Sequence, residues 1–362
     1  MRGGTPSENL FLVDNIVVPN INHFPAQGST SGPIGLLNVE LIREVQFRAG
    51  GFGAEHGDRL SSVVEVTLRD GNPEKRAAQL GLDFTGVSAV VEGPAGGRAA
   101  YLLSVRRSYL DLLVDAVDVG ASVAPRYGDY AVRLNAEPSA RHRVSGLALW
   151  ADDHFATDME QALENGMASF GRQKLLQGTT GLNWTALWSD DWLSQTSLAH
   201  TVARFDEDYT DTPSQQPLFS NRSSEHMLAL RHRTRRQLTT TSSLSVGGDV
   251  VLQQGTFDNR YMSRVSPLGD TVPGTLLHTR PRGARVGVFA AAAHALGNDL
   301  EGTFGLRLDH GTLTGSTTAG PRVSLAWNVA DRTTLSGSFG IYRQSLPLVV
   351  LATPAHRSLR DP

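Results

Sequence analysis

The chain has 362 residues, of which 40% are hydrophobic and 19% charged, both below the globular averages of about 45–50% and about 25%. It has no cysteine and a net charge of −3, which excludes disulfides and thiolate metal sites and leaves no basic footprint for nucleic acid. No stretch reaches the roughly 18 consecutive apolar residues of a membrane-spanning helix, and no apolar signal-peptide core follows Met1.

In chain order, residues up to about Gly71 form a mixed segment. Glu8–Val18 is an apolar strand that breaks at Asp14-Asn15 and resumes at Ile16-Val17-Val18. This predicts a tight hairpin, because Asp and Asn tolerate positive φ. A loop rich in Pro, Gly and Ser follows over Pro19–Pro33. Two strand-like stretches, Val39–Phe47 and Arg59–Thr67, flank the glycine-rich Gly50–Gly57. Ser108–Val119 reads as a helical turn or a loop.

Beyond Lys75 the texture changes to runs of roughly ten to fourteen residues with period-two alternation, as on a strand whose side chains point to opposite faces. Leu300, Phe304, Leu306 and Leu308 alternate with Glu301, Thr303, Arg307 and Asp309. Val323, Leu325, Trp327 and Val329 alternate with Arg322, Ser324 and Asn328. Tyr130, Val132 and Leu134 alternate with Asp129, Arg133 and Asn135. About twelve such strands are expected between Ala78 and Arg343. Turns are expected at Gly93–Gly97, Glu137–Ala140, Ser189–Asp191, Gly297–Asn298 and Ala330–Asp331, and longer loops near Tyr209–Asn221 and Gly255–Pro281. The acidic run Asp206-Glu207-Asp208 then borders a solvated loop.

Soluble sandwich strands average about five or six residues, whereas crossing a hydrocarbon layer at about 45° takes roughly 9–11. Short turns alternating with long loops, and tryptophans near strand ends (Trp188, Trp192, Trp327), describe a transmembrane barrel. A lipid-facing Arg at mid-depth would cost about 2–4 kcal/mol, so Arg133 and Arg307 belong to a watery lumen. One stretch is less clean: Leu147 and Leu149 share a face with Arg143. His226 and His232 share an outward parity with Leu228 and Leu230, which makes them interfacial histidines rather than metal ligands. No serine sits in a G-x-S-x-G elbow. Arg231, Arg233 and Arg235 take the opposite, lumen-facing parity, where they either attract an anionic ligand such as a ferric chelate or pair with carboxylates inside the barrel.

Four segments in order carry a family resemblance: Arg2-Gly3-Gly4, the hairpin at Asp14-Asn15, the strand-and-turn Val39–Gly57, and Arg59-Leu60-Ser61-Ser62-Val63. Glu92-Gly93-Pro94 with Ser104–Asp111, and the pair Gly320–Ser324 and Leu335–Gln344, agree with it. The series resembles the TonB-dependent outer-membrane receptors, in the subgroup whose plug carries a "GRLSSV" strand. Departures are Asn15 where Gly is usual, His56 where Tyr is common, and Asp58 where Gly often sits.

The resemblance implies an all-β membrane protein, with residues 1–74 as the C-terminal part of a plug domain and 75–362 as the N-terminal half of an antiparallel barrel of about 22 strands. It further implies a bacterial outer-membrane location and import of a siderophore, cobalamin, glycan or peptide, driven by the energy-coupling protein TonB. On this reading the chain is a fragment, not active alone, whose TonB-contacting segment precedes Met1. Its partners are outer-membrane lipid, TonB and a small ligand. No cofactor, metal or enzymatic activity is expected. The loop Asn20-Ile21-Asn22-His23-Phe24 corresponds to the outward plug apex, which makes Asn20, Asn22, His23 and Phe24 the candidate ligand contacts and Arg231 and Arg233 candidate lumen cations. Rival readings are a passive porin, a barrel enzyme with an outward Ser–His pair, and a soluble secreted β-protein.

Overall fold

A computed structural model describes residues 4–83, 86–109, 125–265 and 270–353. Six short strands come first: β1 (Asn9–Val13), β2 (Ile16–Val17), β3 (Asn22–His23), β4 (Ile34–Gly35), β5 (Ile42–Arg48) and β6 (Ser62–Leu68). Four of them form a sheet of order β2-β1-β6-β5, with β1 parallel to β6 and antiparallel to β2. The β1–β2 turn carries Asp14 at φ 49° and Asn15 at φ 66°, the two left-handed positions a tight hairpin demands. Asp58, at φ 59°, occupies the same region, consistent with a site where glycine is common.

The remainder is one large antiparallel meander. It runs β7 (Ala77–Asp83), β8 (Gly86–Gly96), β9 (Ala99–Arg107), β10 (Arg126–Ser139), β11 (His142–Thr157), β12 (Ser169–Ser189), β13 (Trp192–Asp211), β14 (Pro217–Thr239) and β15 (Ser242–Tyr261). The short β16 (Arg264–Val265), β17 (Thr271–Val272) and β18 (Thr275–Thr279) interrupt it before β19 (Arg282–Ala295), β20 (Leu300–Gly311), β21 (Ser316–Ala330) and β22 (Thr333–Gly340). Each main strand pairs with its sequence neighbours, β18 adds to β15, and β7 and β22 each have one partner among the described residues. The path holds thirteen strands where alternation gave about twelve. The expected segment at 110–119 lies outside the described residues.

The turns 97–98, 140–141, 190–191, 240–241 and 331–332 fall at one end of the sheet, and longer connections, including a helix at Met159–Glu164, at the other. Two of the expected long loops prove shorter. β13 runs through the acidic stretch to Asp211 and β14 resumes at Pro217, while β15 continues to Tyr261. The reason is cross-strand charge pairing. Arg172 and Arg222 grip Asp208 at 3.0 and 2.6 Å, and Arg222 reaches Asp206 at 3.2 Å, so polar sequence continues as strand.

Outward-facing Leu182, Leu198 and Leu230 stand side by side across β12, β13 and β14, joined by Val250 and Val286. These leucines are 44–59% exposed, an apolar row that water would not tolerate over many strands. Below it, His142, Trp184, Trp188 and Trp192 form a chain of ring contacts 5.6–6.1 Å apart at the short-turn end. From Arg222 to Arg236, β14 rises roughly 30 Å at about 3.3 Å per residue and a 45° tilt, the depth of a hydrocarbon layer. No described helix is long and apolar enough to cross a membrane.

The small sheet packs on the inner face. Val13, Ile16, Leu41, Val66 and Leu68 share a buried cluster with Leu102, Ala131, Leu147, Leu149 and Ala151 of the wall. This explains the run in which Leu147 and Leu149 share a face with Arg143: the wall is apolar where the inner sheet covers it.

Candidate functional site

Three sets of side chains join the inner domain to the wall. The first lies at the loop carrying β3. His23 is fully buried, with Nδ1 2.5 Å from Asp153 Oδ1 and Nε2 3.2 Å from Asp129 Oδ2. The Phe24 amide donates to Asp153 Oδ2 at 2.8 Å, and Arg106 Nε donates to Asp129 at 2.7 Å. Both ring nitrogens face carboxylate oxygens, so both must donate and the ring is an imidazolium. Burial alone would lower the pKa of His23, but its hydrogen bonds and charge interactions with Asp129 and Asp153 outweigh it and raise the value. The ring also lies 4.5 Å from Tyr127, against which Phe24 stacks edge-on.

Asn20 and Asn22 belong to the same junction. Asn20 Nδ2 donates to Gln177 Oε1 at 2.9 Å, Gln177 Nε2 donates to Asn22 O at 2.7 Å, and Asn22 Nδ2 donates to Thr30 O. Gln27 extends the junction to β14 and β15. Its Nε2 donates to Glu225 at 3.0 Å, and its Oε1 accepts from Asn221 and Asn259 at 3.2 and 2.9 Å. Glu207, on the expected solvated loop, instead points inward, 8% exposed, and accepts from Asn221 and Gln173.

A cavity of ≈ 220 Å³ lies between this loop, the wall strands β11–β15 and the segment 344–348. Asn20 lines it; Asn22, His23 and Phe24 do not. The four apex candidates are thus brought together, but His23 and Phe24 face the wall and the Asn22 side chain turns back to Thr30 of its own loop.

The second set is a cradle of wall arginines under the turn 52–57. Arg322 Nη1 donates to the carbonyls of Phe52, Gly53 and His56, at 3.3 Å for Phe52 and 2.7 Å for His56. Arg231 Nη2 donates to Glu55 O at 3.2 Å and lies 3.3 Å from His56 Nδ1. Arg307, 1% exposed, spans Asp249 at 2.5 Å and Asp309 at 2.8 Å and reaches Ala54 O at 3.5 Å. A Cβ on Gly57 would sit 2.2 Å from the Arg307 guanidinium, so glycine there admits the arginine. Burial, then Arg231, Arg48, Arg233 and Arg322, push the pKa of His56 well down and keep the ring neutral. Arg231 therefore meets a carbonyl and an imidazole of the turn, with the carboxylates of Glu55 and Glu65 near enough to act on it by charge. Arg233 donates to Gln195 of its own wall at 2.6 Å and does not join Arg231's cluster.

The third set is Arg133, which pairs with Asp14 of the hairpin and with Asp70 at 3.0 Å; Arg143 also holds Asp70.

Inward positions divide by charge. Toward the long-connection end, β10–β14 present Asp129, Asp153, Glu207 and Glu225; toward the short-turn end they present Arg133, Arg143, Arg231, Arg233 and Arg235. Inward parity alone marks all of these, yet Asp129, Asp153, Gln177 and Glu225 were not singled out by sequence. Gln27 gave no sequence signal at all. Among the described residues, no group of three or more His, Asp or Glu side chains is placed to hold a metal ion.

The same architecture recurs in solved structures. The ferric enterobactin receptor PfeA of Pseudomonas aeruginosa aligns with a TM-score of 0.69 at 15% identity, covering 96% of this chain and 56% of its own. The siderophore receptor PirA of Acinetobacter baumannii gives 0.67 at 13% identity (94% and 54%), and the alcaligin receptor FauA of Bordetella pertussis 0.66 at 14% (95% and 56%). The chain thus spans a little over half the length of these structures, and at such identities the likeness is one of fold. No curated protein matches the sequence. A model of the family described as "TonB dependent receptor-like, beta-barrel" matches residues 122–342, a range that takes in β10 through β22. With that match over more than half its length, and with a long antiparallel meander, apolar on its outer face, to whose inner face a smaller sheet is fastened, the chain belongs to the TonB-dependent receptor family.

Proposed function

We propose that residues 1–74 act as the plug and 75–362 as the barrel wall of a bacterial outer-membrane receptor that imports a scarce ligand using energy delivered by TonB. The observation that carries this reading is the way the inner sheet is held. His23 and Arg133 each enter a buried ion-pair junction between plug and wall, and the arginine cradle holds the turn 52–57. The plug moves only if these buried charges part together, and any member left buried without its partner costs about 3–5 kcal/mol, which favours a lumen that stays closed until the plug is pulled. A passive porin has no use for a fastening of this strength.

The long connections face outward and the short turns inward, as in outer-membrane barrels. The ligand then meets the apex loop first, where Asn20 reaches the cavity and His23 and Asn22 hold the loop in place. Arg231 and Arg233 lie beneath, toward the short turns, where Arg231 holds the turn 52–57 and Arg233 bonds Gln195 of the wall. The chemistry is transport, with no step of bond making. Deleting TonB should abolish saturable uptake by the full-length receptor in intact cells. High-affinity uptake that persists without TonB contradicts the proposal and favours diffusion through an open pore.

A further inference from the structure

The cavity between apex loop and wall has a chemistry of its own. Its walls are largely apolar: Val18, Leu36, Leu149, Phe205 and Leu348 are all buried. Amide groups of Asn20, Gln177 and Gln253 stud them. The ionisable lining side chains are few. Asp58 and Arg59 pair with each other at 3.1 Å, and Arg285 adds to Asp58 at 3.3 Å. His226 belongs to the outer face and stacks on His200 at 5.5 Å.

Glu225 remains. Gln27 donates to its Oε1 at 3.0 Å, and among the described residues no cation pairs with it. An uncompensated carboxylate beside apolar walls is unfavourable unless a cation or several donors reach it. The neighbouring inward carboxylates are already matched, Asp129 and Asp153 by His23 and Arg106 and Glu207 by the amides of Asn221 and Gln173, so among the described residues Glu225 is the lining carboxylate left without a cation.

We infer that this cavity takes a ligand group carrying an ammonium or amidinium charge on an apolar body, with Glu225 as its counter-ion. The inference rests on the receptor reading only in calling the occupant an imported ligand. Binding is measured without transport, so failure of TonB dependence and failure of charge preference are separate results.

The test uses the full chain in detergent micelles and three probes of one shape: benzylamine, benzyl alcohol and benzoate. Calorimetry should show benzylamine binding about tenfold tighter than benzyl alcohol, the worth of one charge-assisted hydrogen bond, with benzoate weakest. Glu225→Gln should bring benzylamine down to the level of benzyl alcohol, whereas Glu207→Gln should leave the ranking intact. Met227→Trp, which fills the cavity from its lining, should lose all three probes. Equal binding of the three probes to the unsubstituted chain, or a benzylamine preference that survives Glu225→Gln, overturns the inference. The ranking on the unsubstituted chain decides the matter even if a variant misfolds.

Discussion

Replacing His23 with alanine should loosen the plug by about 3–5 kcal/mol, because it leaves two buried aspartates facing each other without their cation. Arg106 still reaches Asp129, but Asp153 keeps only the Phe24 amide. The effect should appear as a lower urea midpoint for the first unfolding transition and as new chymotryptic cleavage near Phe24. Because the loss arises from unpaired carboxylates, His23→Ala combined with Asp153→Asn should cost less than the two single changes added together. Strict additivity would show that His23 acts through packing alone.

The same junction sets a pH dependence. The folded-state pKa of His23 is raised above its ordinary 6.5. Its stabilisation is therefore fully present below pH 6.5 and is lost as pH rises through the elevated folded value. Wild-type plug stability should fall on the alkaline side, and His23→Ala should flatten that limb of the profile.

Arg307→Ala should be comparably severe, at about 3–5 kcal/mol, since it strands Asp249 and Asp309 inside the wall and frees the carbonyl of Ala54. Arg307→Lys should recover only part of this loss. One ammonium cannot reproduce a planar fork that serves two carboxylates and a carbonyl at once. Glu301→Ala is the control: it shares strand and face with Arg307 but is exposed and should change stability by under about 0.5 kcal/mol. Hydrogen exchange of the amides at 52–57 reports the local effect. Protection equal to wild type in Arg307→Ala would show that the cradle does not hold the turn.

The wall was legible in sequence because a two-residue period is set by strand geometry itself. Leu306 and Leu308 point out and Arg307 points in for no reason beyond parity, and the family motifs added the plug. The fastening was less legible. His23 meets partners 106 and 130 residues away, and no local pattern forecasts such a pairing. Inward parity marks Asp129 and Asp153 as lumen-facing, yet it does not say that plug loop 20–24 will lie on them. The strands above the apolar row misled for a different reason. Asp206-Glu207-Asp208 reads as the border of a loop because acidic residues disfavour strands, until Arg172 and Arg222 on the neighbouring strands neutralise Asp206 and Asp208. Arg231 reads as a lumen cation; it meets the Glu55 carbonyl and the His56 ring, a pairing that sequence does not display.

That this wall separates lipid from a plugged lumen can be tested on β14 directly. The chain has no cysteine, so single cysteines can be placed in turn at Leu228 through Arg233 without a background. Each is labelled with a fluorophore in reconstituted bilayers and exposed to a lipid-soluble quencher. Quenching should alternate residue by residue, strong at Leu228, Leu230 and His232 and weak at Ala229, Arg231 and Arg233. Uniform quenching, or none at any position, would contradict a lipid-facing barrel wall.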